Sequence, residues 1–263
     1  MMRSIVRWTL WQRRWSIFWW SIGITSLVFF TMVFYPTIRD QAAELNKSLS
    51  LGSGTEALFG GTDFFSPLGY LNSQLIYFSL PMLLAILAIG LGTSLIGREE
   101  SSGSIESLLS RPVSRGRLLA SKALAGTITV FIVTLISSLV TLLMCAVVDL
   151  GIPYGNIVAA CFACLMLVLS FGALAFMITS TGRGRAAALG ITIVYAFGGY
   201  LIGSLTNSVE WLKHPAILFP YHYYRTADIL AGKFEWSSIA FFALFILACG
   251  LIAWLSFRRR DIV

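Results

Sequence analysis

Six stretches of the chain run for about 20 residues without Asp, Glu, Lys, Arg or His: Ser16–Tyr35, Leu75–Gly97, Ala123–Val148, Gly155–Ser180, Ala188–Thr206 and Ser237–Phe257. A helical run of that length crosses ~30 Å of hydrocarbon at ~1.5 Å per residue. Each charge at mid-bilayer would cost roughly 2.5–3.5 kcal/mol on an insertion scale, so six clean windows predict six membrane-spanning helices. The apolar–polar alternation of a membrane barrel strand is absent. The polar sequence is confined to the ends and the connections. The pattern predicts an all-α integral membrane protein, with residues 1–263 forming a single six-helix domain.

Composition agrees. Of 263 residues, 57% are hydrophobic and 12% charged, with a mean hydropathy of +0.81. That is too little polar surface for a soluble domain. With six spans, both termini and two connections share one side. That side carries Arg3, Arg7, Arg13, Arg14, Arg98, Arg111, Arg115, Arg117, Lys122, Arg183, Arg185, Arg258, Arg259 and Arg260, which is 14 of the 19 basic residues. The other side holds Arg39, Lys47, Lys213, Arg225 and Lys233. The positive-inside rule predicts that both termini are cytoplasmic. The net charge of +7 reflects this topology and gives no footing for nucleic-acid binding.

The first fifteen residues add an element. Trp8, Trp11 and Trp15 fall within roughly 60° of one another on a helix, while Arg3, Arg7 and Arg14 gather on a neighbouring face. Residues 1–15 therefore predict an interfacial helix, with indoles at headgroup level and guanidiniums in water. An aromatic belt with positive-inside charge is the plainer alternative. The apolar stretch runs on to Tyr35-Pro36 without a small-x-small cleavage site, as a retained signal anchor would. Cys145, Cys161, Cys164 and Cys249 all lie in spans, so no disulfide or metal pair is expected.

Residues 36–74 and 207–236 are the external loops. In the first, Thr37 to Leu49 predicts a polar helix, Gly52 to Gly54 a break and Phe59 to Tyr70 an aromatic return. In the second, Ala216–Tyr224 is apolar and aromatic but too short to span; it is expected to dip into the leaflet or pack over helix ends. The internal connection, 98–117, places Ile105, Leu108 and Leu109 at i, i+3, i+4, with Glu99 and Glu106 on another face. Gly103 permits a break from the second span, and Pro112 stops the short helix. An amphipathic helix of this kind either docks a partner or lies on lipid.

The run Glu99-Glu100-Ser-Ser-Gly-Ser-Ile-Glu-Ser-Leu-Leu-Ser-Arg-Pro-Val-Ser-Arg115 resembles the signature of type-2 permeases of ATP-binding-cassette (ABC) exporters. That family joins spans two and three by an acidic pair, a glycine, a Glu-x-Leu-Leu core and a Pro-Val-Ser-Arg tail. Phe64–Tyr70 and Leu218-Phe-Pro-Tyr-His-Tyr resemble the family more loosely, and Ser104-Ile105 replaces its commoner Thr-Leu. The resemblance implies that Glu99, Glu100, Gly103, Ile105, Glu106, Leu108, Leu109, Pro112 and Arg115 form a coupling helix seated in a separate ATPase. It implies that Arg7, Trp8, Trp11, Arg14 and Trp15 belong to a connecting helix beside it.

The chain lacks a GxxxxGK[ST] phosphate loop, so ATP and Mg would sit on the partner ATPase, with no cofactor here. It has no catalytic motif of the H-E-x-x-H or G-x-S-x-G kind, and no metal site is expected; His222 with Asp228 reads better as a belt histidine. Intramembrane ionisable groups that a proton- or sodium-coupled carrier uses are missing too. The expected function is a non-catalytic permease subunit moving an amphipathic or lipid-like substrate outward across the plasma membrane of a bacterium or archaeon. The expected partners are two copies of the ATPase, a second permease (identical or related) and membrane lipid. Competing classes are a structural or sensory membrane subunit and an intramembrane enzyme. Gly199-x-x-x-Gly203 permits close helix approach, either at a dimer seam or within one subunit.

Overall fold

The computed structural model describes residues 2–39, 66–101, 114–206 and 209–259. Among the described residues the elements are helical, with no strand. An amino-terminal helix α1 (Met2–Gln12) leads into α2 (Arg14–Val33). Short α3 (Pro67–Leu71) and a π turn at Asn72–Ile76 precede α4 (Ser79–Ser101). Then come α5 (Arg115–Val148), α6 (Tyr154–Ser180) and α7 (Arg185–Leu205). Two short helices, α8 (Lys213–Ala216) and α9 (Thr226–Leu230), lie between α7 and α10 (Trp236–Arg259).

Six helical segments are long and apolar enough to cross a membrane, and each contains or overlaps one expected span. Two begin earlier than hydropathy predicts. The second span starts at Pro67, because Ser66 caps the Gly69 amide and the π turn carries the helix onward through Asn72. The third starts at Arg115; its 34 residues reach about 51 Å, so the turns bearing Arg115, Arg117 and Lys122 extend past an apolar layer of ~30 Å. Between α5 and α6 the expected tight hairpin forms: Asp149 ends α5 in a left-handed conformation at φ 51°. The helix expected from Thr37 is described only to Arg39; the remainder of that loop to residue 65 lies outside the described residues.

α4 and α6 form the centre. Their most apolar windows are 67% and 56% buried, against 17% for α2 and 22% for α7 and α10. Small residues let their backbones meet. A Cβ on Gly92 would lie 2.5 Å from the Gly172 carbonyl oxygen, and one on Gly172 would lie 3.3 Å from Ala88 Cβ. Around this seam Leu84, Ala88, Val168, Phe171 and Ala175 are fully enclosed. Many hydroxyls inside the spans bond to their own helix, as Thr129 to the Ala125 carbonyl, Ser170 to Met166 and Thr192 to Ala188. Water is not at hand there, so the backbone one turn back is the available acceptor. All four cysteines are free and buried.

Candidate functional site at the basic end of the bundle

α1 packs against α5 through a polar-centred face: Thr9 is 3% exposed and donates to the Ile5 carbonyl at 2.9 Å. The opposite face of α1 carries Trp8 and Trp11, 58% and 54% exposed, while Trp15, 62% exposed, stands on α2, because the helix expected over residues 1–15 stops at Gln12 and a new one begins at Arg14. Trp8 and Trp11 stack at 5.7 Å, and the Arg14 guanidinium lies 4.2 Å over Trp11. The indoles of α1 therefore face outward, with a charge and a ring in contact. Arg7 belongs to the same helix and is exposed.

The chain bends at Arg13 (φ −98°, ψ 5°) between α1 and α2, yet hydrogen bonds run through the bend. The Arg13 amide donates to Thr9 and Leu10, and its carbonyl accepts from Ile17. The Arg13 side chain reaches across the bundle. Its Nη2 donates to Ser94 Oγ at 2.7 Å, and Ser94 in turn donates to the Leu91 carbonyl at 3.3 Å. Sequence reasoning counted Arg13 only as one of many basic residues; no periodicity marks a partner 81 positions away.

Ser94 lies two turns before the end of α4, which continues in helical form through Glu99 and Glu100 to Ser101. Gly103, Ile105, Glu106, Leu108, Leu109 and Pro112 lie outside the described residues. Arg115 opens α5 directly after the extended Ser114. There α5 touches α10: a Cβ on Gly116 would lie 2.7 Å from Trp254 Nε1, and the Arg258 guanidinium sits 5.3 Å from the Trp254 ring. The α6–α7 connection joins them, because a Cβ on Gly97 would lie 3.2 Å from Arg185 Cβ. One end of the bundle thus gathers the elbow, both flanks of the 102–113 connection and the basic tips of α7 and α10.

The opposite end is aromatic and polar. Gly199 and Gly203 open onto the same chain: added Cβ atoms would lie 2.9 Å from Phe219 and 3.4 Å from Tyr221. Within this chain the loop between α7 and α10 lies against both glycines. Phe219, Tyr221 and Tyr224 lie over the helix ends, while Ile217 and Leu218 point outward. Tyr224 donates to the Ile76 carbonyl at 2.7 Å, and Thr226 donates to Asn72 Oδ1 at 2.6 Å, tying the loop to the π turn. A cavity of about 710 Å³ opens here, lined by Tyr77, Ser204, Tyr221, His222, Arg225 and Asp228, among others. Burial, reinforced by the Arg225 charge, lowers the His222 pKa. Arg225 also pairs with Glu235 at 3.3 Å. Among the described residues no three His, Cys, Asp or Glu side chains are arranged so that they could hold a metal ion.

Residues 16–262 match the family model described as ABC-2 family transporter protein. No curated protein matches the chain.

Proposed function

Because the chain belongs to the ABC-2 family of transporter proteins, a multi-pass membrane permease family, we propose that it is the half-channel of an exporter driven by a separate ATPase. The carrying observation is the convergence at the basic end. The 102–113 connection is flanked by the end of α4 and the start of α5, and Arg13 fastens the α1–α2 elbow to α4 only two turns away. A displacement delivered to that connection is passed to the central helix α4 and, through Arg13, to the first span. The positive-inside bias puts this end in the cytoplasm, where an ATPase works.

On this reading Ile105, Leu108 and Leu109 are the apolar anchors in the ATPase groove. Glu99, Glu100 and Glu106 make charge contacts at its rim, and Arg115 starts the third span. ATP and Mg bind the two ATPase subunits. Their closure on nucleotide supplies the differential affinity that rocks the helices between two arrangements. A second permease, identical or related, completes the path. The spans carry almost no charge, which suits an amphipathic or lipid-like cargo moved outward across a bacterial or archaeal plasma membrane.

The test is co-purification of the partner ATPase with the double variant Leu108→Asp, Leu109→Asp. Charging the stripe is expected to abolish capture of the ATPase while the permease still inserts. Normal capture would overturn the assignment, and ATP-independent transport by the purified permease would overturn the whole scheme.

A further inference from the structure

A second cavity, apolar and about 270 Å³, runs between α5 and α10 at the basic end, with α4 and α6 behind it. Its α5 wall is formed by Leu119, Ala123, Gly126 and Val130, one face of the helix over three turns. At ~1.5 Å per residue the slot is about 16 Å long and lies along the helices. Across it, α10 contributes Ile246, Gly250 and Trp254 at four-residue spacing. Only Thr127 and the Trp254 indole bring polar side-chain atoms to the lining. Ala120, Thr127 and Gly250 are exposed at the mouth, so α5 and α10 do not close on each other. The volume is well above the ~150 Å³ of an apolar cavity that stays dry and takes up benzene. In a membrane span the mouth meets hydrocarbon rather than water.

Charge marks one end of the slot. Trp254 closes it, the Arg258 guanidinium sits over the Trp254 ring, and Gly116 against that indole is flanked by Arg115 and Arg117. A long narrow apolar slot that ends in an interfacial indole and guanidiniums has the complementarity of an anionic lipid. We propose that this groove holds one acyl chain of an anionic membrane phospholipid, with its phosphate at Arg258 and the first turn of α5. The bound chain fills the gap between α5 and α10 and so steadies the two helices at the end where the coupling connection emerges. This rests on the six spans and not on the direction of transport.

The full-length protein, delipidated in detergent, is titrated with phosphatidylglycerol or phosphatidylcholine, and bound lipid is counted by native mass spectrometry. Wild type is expected to retain one phosphatidylglycerol in preference to phosphatidylcholine. Gly250→Phe puts a ring into the slot from a position whose Cβ meets nothing within 4 Å, and should lose that lipid. Ala120→Phe, at the mouth, is the independent second variant should the first fail to fold. Arg258→Gln should lower the preference for phosphatidylglycerol roughly fivefold while leaving chain binding in place. Equal retention of both lipids by wild type overturns the proposal, as does undiminished retention by folded Gly250→Phe or Ala120→Phe protein. If those variants keep the lipid but lose ATP-driven transport, the groove belongs to the cargo path and the resident-lipid assignment falls.

Discussion

The Arg13 guanidinium donates to Ser94 Oγ at 2.7 Å, joining the bend between α1 and the first span to the end of the second. The contact is half-buried and charge-assisted, the kind of hydrogen bond that contributes about 1.5–3 kcal/mol when removed. A double-mutant cycle with Arg13→Ala and Ser94→Ala should return a coupling energy of about 1 kcal/mol or more in thermal or denaturant unfolding. Arg13→Ala should cost more than Ser94→Ala, since Arg13 has interactions beyond this serine. In reconstituted complexes the same change should leave ATP hydrolysis running while transport falls. Additive single effects would show that the contact carries no energy.

The seam between α4 and α6 is tested by adding one methyl group. At Gly92 it would meet the Gly172 carbonyl and the Phe176 amide, both backbone, so the helices must separate. Gly92→Ala should destabilise the protein by about 1–3 kcal/mol. Gly90→Ala, two residues away with open space around its Cβ, should be close to neutral. Melting curves of the two variants in one detergent decide it; equal losses would contradict the packing.

His222 gives the loop between α7 and α10 a pH dependence. Burial first, and the Arg225 charge second, lower its pKa, so the folded protein favours the neutral ring. Unfolded, the ring titrates near its usual ~6.5. As pH falls through that value the unfolded state takes up the proton first. The stabilising contribution is therefore complete above ~6.5 and lost as pH drops toward the folded value. The melting temperature should fall between pH 7.5 and pH 5.5, and less so in His222→Asn. An identical fall in the variant would assign the effect to other groups.

Topology is accessible to thiol labelling in a background lacking the four native cysteines. A cysteine at Ser53 should react with an impermeant reagent on intact cells. One at Ser114, immediately before α5, should react only after permeabilisation. The reverse pattern would invert the molecule and place the tryptophan-bearing helix outside.

The six spans were legible in the sequence because the cost of burying a charge in hydrocarbon is a property of each window taken alone. The shared outward face of Trp8 and Trp11 was legible from their three-residue spacing, whereas the bend at Arg13, which puts Arg14 and Trp15 on α2, left no mark in that pattern. The early starts of two spans were not legible either. Asn72 in the π turn and Arg115, Arg117 and Lys122 on α5 are polar, and polar residues can extend a helix that hydropathy has already ended. Tertiary structure alone decided which helices are central and which glycines meet. With 23 glycines in the chain, Gly199-x-x-x-Gly203 stood out by spacing, but that Phe219 and Tyr221 would lie against it was not legible. The tight backbone approach belongs to Gly92 and Gly172, which have no comparable mark. Close approach depends on which two faces are brought together, and Arg13 found Ser94 in the same way, through a fold that sets distant positions side by side.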